Sequence, residues 1–170
     1  MDLYVIRHAD ALALGERGIT EDADRPLSEV GETQAKAVGT GLQAKGLRPA
    51  LIVTSPLVRA RQTAEGIQRQ FPAERPALQV AEELAPGVKP KQLARFLRGL
   101  TADAVALVGH QPDLGEWAAW LIGSKKAQVD LAKAGVALVS CPDGPRKGGG
   151  TLVWLVTPEW FAAGDAKATP

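Results

Sequence analysis

The chain has two histidines, and each stands directly behind a run of apolar residues: Leu3, Tyr4, Val5, Ile6, Arg7, then His8, and Val105, Ala106, Leu107, Val108, Gly109, then His110. A third such run, Leu51, Ile52, Val53, Thr54, opens into Ser55, Pro56, Leu57, Val58, Arg59, Ala60, Arg61, Gln62, Thr63. Neutral imidazole is a good nucleophile at phosphorus, and arginine carries a planar, permanent charge that pairs with phosphate oxygens. Phosphoryl transfer needs both: a nucleophile in line with the leaving group and fixed positive charge around the equatorial oxygens. A lone histidine after a strand is usually structural. Two of them, together with the Arg59 cluster, argue for a phosphate site.

These groups meet only if the elements behind them are parallel strands. In an open parallel sheet the loops beyond the carboxyl ends share one edge, so Arg7, His8, Arg59 and His110 would line one cationic crevice. The rest of the chain alternates accordingly. Leu3–Ile6, Leu51–Thr54 and Ala104–Val108 are short, continuous apolar runs of the kind buried on both faces of a parallel sheet, and 78–80 is a shorter candidate. Ser28 is placed to cap a helix to about Lys45, with Ala35, Val38 and Leu42 on one face and Gly46 as its stop. A second helix runs from near Leu57 to before Pro72. A third begins at Pro90, with Leu93, Phe96, Leu97 and Leu100 at helical spacing. After His110, Asp113 and Glu116 have the spacing of a capping box for a helix that Gly123 closes. Val136–Cys141 and Thr151–Val156, separated by a Gly- and Pro-rich loop, form a hairpin that extends the sheet. Residues 9–25, with Gly15, Gly18 and several charges, make a long loop over the strand ends.

The expected fold is therefore α/β: a three-layer αβα sandwich around a mostly parallel sheet. A length of 170 residues suits one domain, over residues 1–163, with a small, polar tail at 164–170 that frays. A net charge of +1 leaves no broad basic field for nucleic acid, so phosphate recognition must be local. No apolar stretch is long enough for a membrane span, and none is preceded by a basic segment as in a signal peptide. With a single cysteine, Cys141, read as a buried small hydrophobe, the expectation is a soluble, cytoplasmic protein. Two histidines, one cysteine and scattered carboxylates form no ligand cluster, so no metal and no cofactor is expected. Trp117 and Trp120 read as packing, Gly148, Gly149 and Gly150 as a turn, Arg146 and Lys147 as solvated, and Arg61 as the exposed partner of Glu65 one helical turn on.

These residues resemble the histidine phosphatase superfamily, the phosphoglycerate mutase-like proteins, whose Arg-His-Gly motif reads here Arg7, His8, Ala9. Within it the likeness is to the SixA-type phosphohistidine phosphatases. The landmarks are Arg25, Pro26, Leu27, Ser28 before a helix, the segment Ser55 to Glu65, and Gly109, His110, Gln111, Pro112, and they span nearly the whole chain. The resemblance implies a phosphoglycerate mutase-like fold, a phosphohistidine intermediate on His8, and phosphate binding by Arg7 and Arg59. It also implies that His110 donates to the phosphoryl group, a task a protonated ring would do best. His8, in contrast, must be neutral, with one ring nitrogen donating to a backbone carbonyl and the charges of Arg7 and Arg59 disfavouring its protonation.

Substrate classes separate on the leaving group. An ester's alkoxide needs a positioned acid, whereas the imidazole leaving from phosphohistidine, with a pKa of about 6.5, needs none. Glu82 and Glu83 follow the third strand near the place of the mutase-like acid, but Leu84, Ala85, Pro86, Gly87 resembles the SixA branch, which does not use one. Arg25 either clamps substrate or orients the loop. The expected partner is a phosphorylated histidine protein, a phosphorelay domain for example, or else a small phosphate ester. The alternatives to a phosphohistidine phosphatase are a phosphomonoesterase on small molecules, with Glu83 as acid, and a phospholigand-binding module without turnover.

Overall fold

In the computed structural model, which describes residues 1–124 and 126–162, six strands form one sheet in the order β3-β2-β4-β1-β5-β6. The strands are β1 (Asp2–Arg7), β2 (Leu51–Thr54), β3 (Ala77–Val80), β4 (Ala104–Gly109), β5 (Val136–Ser140) and β6 (Thr151–Val156). The helices are α1 (Glu29–Ala44), α2 (Val58–Gln68), α3 (Pro90–Arg98), α4 (Asp113–Leu121) and α5 (Pro158–Ala162). β3, β2, β4 and β1 run parallel to one another, and β5 pairs antiparallel with both β1 and β6.

Alternation along the strands divides the core into two layers, because successive side chains point to opposite faces. Tyr4, Ile6, Ile52, Ala106, Val108, Val136 and Leu138 pack against α1, α2 and Phe161 of α5. Leu3, Val5, Val53, Val105, Leu107, Ala137 and Val139 pack against Leu93 and Leu97 of α3 and Leu114, Trp117 and Leu121 of α4. The fold is thus a three-layer αβα sandwich, with Trp117 and Cys141 buried in it.

The helix boundaries follow their local chemistry. Ser28 accepts the Gly31 N–H at 3.1 Å as the cap of α1, and Gly46, at φ +70, ends it with the Leu47 N–H bonded to the Leu42 carbonyl. The capping box expected at α4 does not form. Pro112 occupies the cap position, the Asp113 carboxylate instead accepts the Gly87 N–H at 3.0 Å, and Gln111 Oε1 takes the Gly115 N–H at 2.8 Å. The side chain of Asp113 is drawn to the loop after β3, and a neighbouring amide does its work. The expected Arg61–Glu65 pair is also absent among the ion pairs of the described residues. α5 was not foreseen; its Phe161 is buried against α1, where a Cβ on Gly41 would lie 2.4 Å from the ring. The expected frayed tail at 164–170 lies outside the described residues.

Candidate active site

β1 and β4 are neighbours in register, Arg7 opposite Gly109, so the next residues, His8 and His110, leave the sheet side by side. Their ring centroids are 5.2 Å apart. The His8 N–H bonds to the Gly109 carbonyl at 2.9 Å, and the Ser55 N–H to that of Val108 at the same distance, so all three strand ends are tied together. Arg59 lies on the first turn of α2, and its Nε is 3.2 Å from His8 Nε2. Both histidines and Arg59 are buried.

The ring of His8 has one allowed proton arrangement. Nδ1 is 2.7 Å from the Ala9 carbonyl, which can only accept, and Nε2 faces a guanidinium N–H, which can only donate. Nδ1 therefore carries the proton and Nε2 the lone pair. Burial, followed by the charges of Arg59, Arg7 and Lys133, pushes the pKa of His8 down to about 4, against the pull of the Ala9 carbonyl. Sequence reasoning credited the arginines alone; burial is the larger cause.

His110 departs from expectation. Burial first, then His8 and Arg59, push its pKa down to about 3, so in the free protein the ring is neutral rather than protonated. Its Nε2 is 2.8 Å from Ser55 Oγ, while its Nδ1 is buried without a partner among the described residues. Arg7 reaches the Leu131 carbonyl through Nη1 at 2.9 Å, and its Nε is likewise buried with no partner among the described residues. Both orphaned groups belong to side chains whose charge or ring bears on His8.

The loop after β1 folds back on this cluster. Arg59 donates through Nη1 to the Asp22 carbonyl at 2.6 Å and through Nη2 to the Asp22 carboxylate at 3.0 Å. Arg25 donates to the same carboxylate at 2.9 Å and to the Leu12 carbonyl at 2.6 Å. Arg25, then Arg59, hold the Asp22 carboxyl below the usual carboxylate range. Of the two roles open to Arg25, its contacts are those of loop orientation. Glu83 is half-buried beside the cleft and lines a small cavity with His110, Asp113 and Trp117, whereas Glu82 is exposed. A larger cavity of about 420 Å³, lined by residues of α1, Pro158 and Glu159, is bordered by neither histidine.

Other contributors gave no clear sequence signal. Thr63 Oγ1 accepts the Ala9 N–H at 3.0 Å and donates to the Arg59 carbonyl at 2.7 Å, linking the loop after β1 to α2. Asp10 is gripped by Lys133 and by the Ser28 hydroxyl, and the Ala134 N–H bonds to the His8 carbonyl at 3.2 Å. Segment 129–135 thereby braces the end of β1. It has no local signature, since most of its contacts use backbone atoms.

A model of the histidine phosphatase superfamily (branch 1) matches residues 3–86. An uncharacterised protein of Picosynechococcus sp. is 44% identical over 143 residues, covering 80% of this chain and 82% of its own. The chain belongs to the histidine phosphatase superfamily. Within that superfamily it is similar to the phosphohistidine phosphatase SixA of Escherichia coli, 26% identical over 93% of this chain and 94% of the relative. The structure of the protein histidine phosphatase SixA complexed with tungstate has the same fold, with a TM-score of 0.79 and 23% identity over 95% of this chain and 99% of the other. In this fold the landmarks stand in the order Arg7 at the end of β1, His8 after it, Arg59 on α2 and His110 after β4.

Proposed function

We propose that this protein is a phosphatase that removes phosphate from histidine on a protein, with His8 as nucleophile. The observation that carries the proposal is the setting of His8: its buried ring lies with Nδ1 2.7 Å from the Ala9 carbonyl, to which it donates, and with Nε2 3.2 Å from the Arg59 guanidinium. The Nε2 lone pair forms a bond to phosphorus as the P–N bond to the substrate imidazole breaks. That imidazole leaves with a proton from solvent. Water then attacks the phosphoryl group on His8, giving inorganic phosphate and returning His8 to its neutral form. Arg7 and Arg59 hold the equatorial oxygens, and His110 donates to one of them, as preorganised stabilisers of the transition state.

The similarity to E. coli phosphohistidine phosphatase SixA supports a phosphohistidine substrate, and so does the low basicity of the leaving imidazole, which needs no dedicated acid. One observation favours a second reading, a phosphomonoesterase: Glu83 lies beside His110 at the cleft, where an acid could serve an ester. The test is phosphate release by wild type and His8→Ala from a phosphohistidine protein and from a panel of small phosphate esters. Release from phosphohistidine well above the ester rates, lost in His8→Ala, is expected. Fast ester turnover that Glu83→Gln abolishes would establish the second reading. Silence on both substrates would leave a phospholigand-binding module.

A further inference from the structure

His110 poses a chemical puzzle. Its neighbourhood of buried, cationic groups keeps the ring uncharged, yet the expected task is to donate a hydrogen bond. A neutral imidazole has one N–H, and it donates to phosphate only if that proton sits on Nδ1, the ring nitrogen without a partner among the described residues.

The answer lies in Ser55, fully buried at the end of β2. Its Oγ has two polar neighbours: the Leu57 N–H at 3.3 Å, which can only donate, and His110 Nε2 at 2.8 Å. If Nε2 carried the ring proton, the Ser55 hydroxyl proton would have no acceptor, and the unpartnered Nδ1 of His110 would present a lone pair to any oxyanion. If the hydroxyl instead donates to Nε2, Ser55 is satisfied on both sides and Nδ1 holds an N–H. The first arrangement strands both a hydroxyl proton and a ring lone pair, the second only the ring N–H that is to serve the phosphoryl group, so the second leaves fewer buried polar groups unsatisfied.

We propose that Ser55 is a positioning residue that fixes His110 as the Nδ1–H tautomer, making a neutral histidine the donor to the phosphoryl group. The serine does not touch substrate. Its position is secured independently, by its own N–H to the Val108 carbonyl and by Pro56 after it. The two histidines then stand as a matched pair: the Ala9 carbonyl places the proton of His8 on Nδ1 to free a nucleophilic lone pair, and the Ser55 hydroxyl places that of His110 on Nδ1 to supply a donor.

The proposal rests on the proposed function only for the donor's purpose, and the tautomer is measured without turnover. Ring nitrogen chemical shifts of His110 at neutral pH, by NMR of the ¹⁵N-histidine-labelled protein, should show a protonated Nδ1 and a bare Nε2. Ser55→Ala should lose that preference and lower kcat on the order of tenfold with a smaller change in KM, whereas Ser55→Thr, which keeps the hydroxyl, should restore both. A wild-type ring protonated on Nε2, or a Ser55→Ala protein with an unchanged His110 spectrum, would overturn the assignment whatever the substrate proves to be.

Discussion

An imidazole that attacks phosphorus has to be neutral, and His8 is kept so by burial ahead of the charges of Arg59, Arg7 and Lys133. The acid limb of kcat/KM, corrected for ionisation of the substrate, should therefore fall near pH 4 and not near 6.5. A limb at 6.5 in the pH–rate profile would show that the ring titrates as an ordinary histidine. The same depression has a consequence for stability. Unfolded, both rings have pKa values of about 6.5; folded, they lie at about 4 and about 3. Between those limits the unfolded chain binds more protons, so stability present at pH 7 is lost as pH falls from about 6.5 towards 4, on the order of 3 kcal/mol from His8 alone. Denaturant midpoints at pH 7 and pH 4.5 check the sign. At Arg59, a lysine keeps the charge and loses the fork. Arg59→Lys should lower kcat on the order of 10²-fold, since a single ammonium cannot present paired N–H groups to phosphoryl oxygens as the guanidinium does.

At the scale of elements, the site depends on how closely α1 seats against the loop after β1. A Cβ built on Gly31 would lie 1.9 Å from the Asp10 carbonyl oxygen, two residues beyond His8, and backbone cannot yield as a side-chain tip can. Gly31→Ala should therefore displace Asp10 and cost roughly 1–3 kcal/mol, with activity falling alongside Tm. An activity and melting temperature equal to wild type would mean that α1 moves freely over the loop. The strands behind Arg7, His8 and His110 were legible in the sequence because short, continuous apolar runs such as Leu3–Ile6 and Ala104–Val108 suit strands buried on both faces of a parallel sheet. So were the start of α1 at Ser28 and its stop at Gly46, which rest on local caps. The brace over 129–135 was not, because it acts through the carbonyls of Val129 and Leu131 and the N–H of Ala134. Asp113 was misread because its spacing to Glu116 fits a capping box, but a loop distant in sequence competes for the same carboxylate. Asp22, one of several acids in a long loop, carried nothing to mark it as the partner of Arg59.

Over the whole molecule, the two-sided core holds the sheet edge that assembles the site, and Trp117 is its largest fully buried side chain, packed on the face opposite α1 and α2. Trp117→Ala should cost about 3–5 kcal/mol, read from urea unfolding, because the cavity cannot collapse between α4 and the sheet. The parallel order β3-β2-β4-β1 explains why distant landmarks converge: β4 lies between β1 and β2, so His110 emerges between His8 and the start of the Arg59 helix. The sandwich and its hairpin were readable from alternation and turn residues. α5 was not, since a five-residue helix has too little periodicity and is held by the contact of Phe161 with α1.

The proposed reaction passes through a covalent phosphoryl group on His8. The protein mixed with ³²P-labelled phosphohistidine protein, quenched in alkali within milliseconds and digested, should yield an acid-labile, base-stable label on the peptide containing His8. The label should vanish in His8→Ala. Phosphate release with no labelled enzyme at any quench time, or label retained in His8→Ala, would exclude His8 as the site of the phosphoryl intermediate.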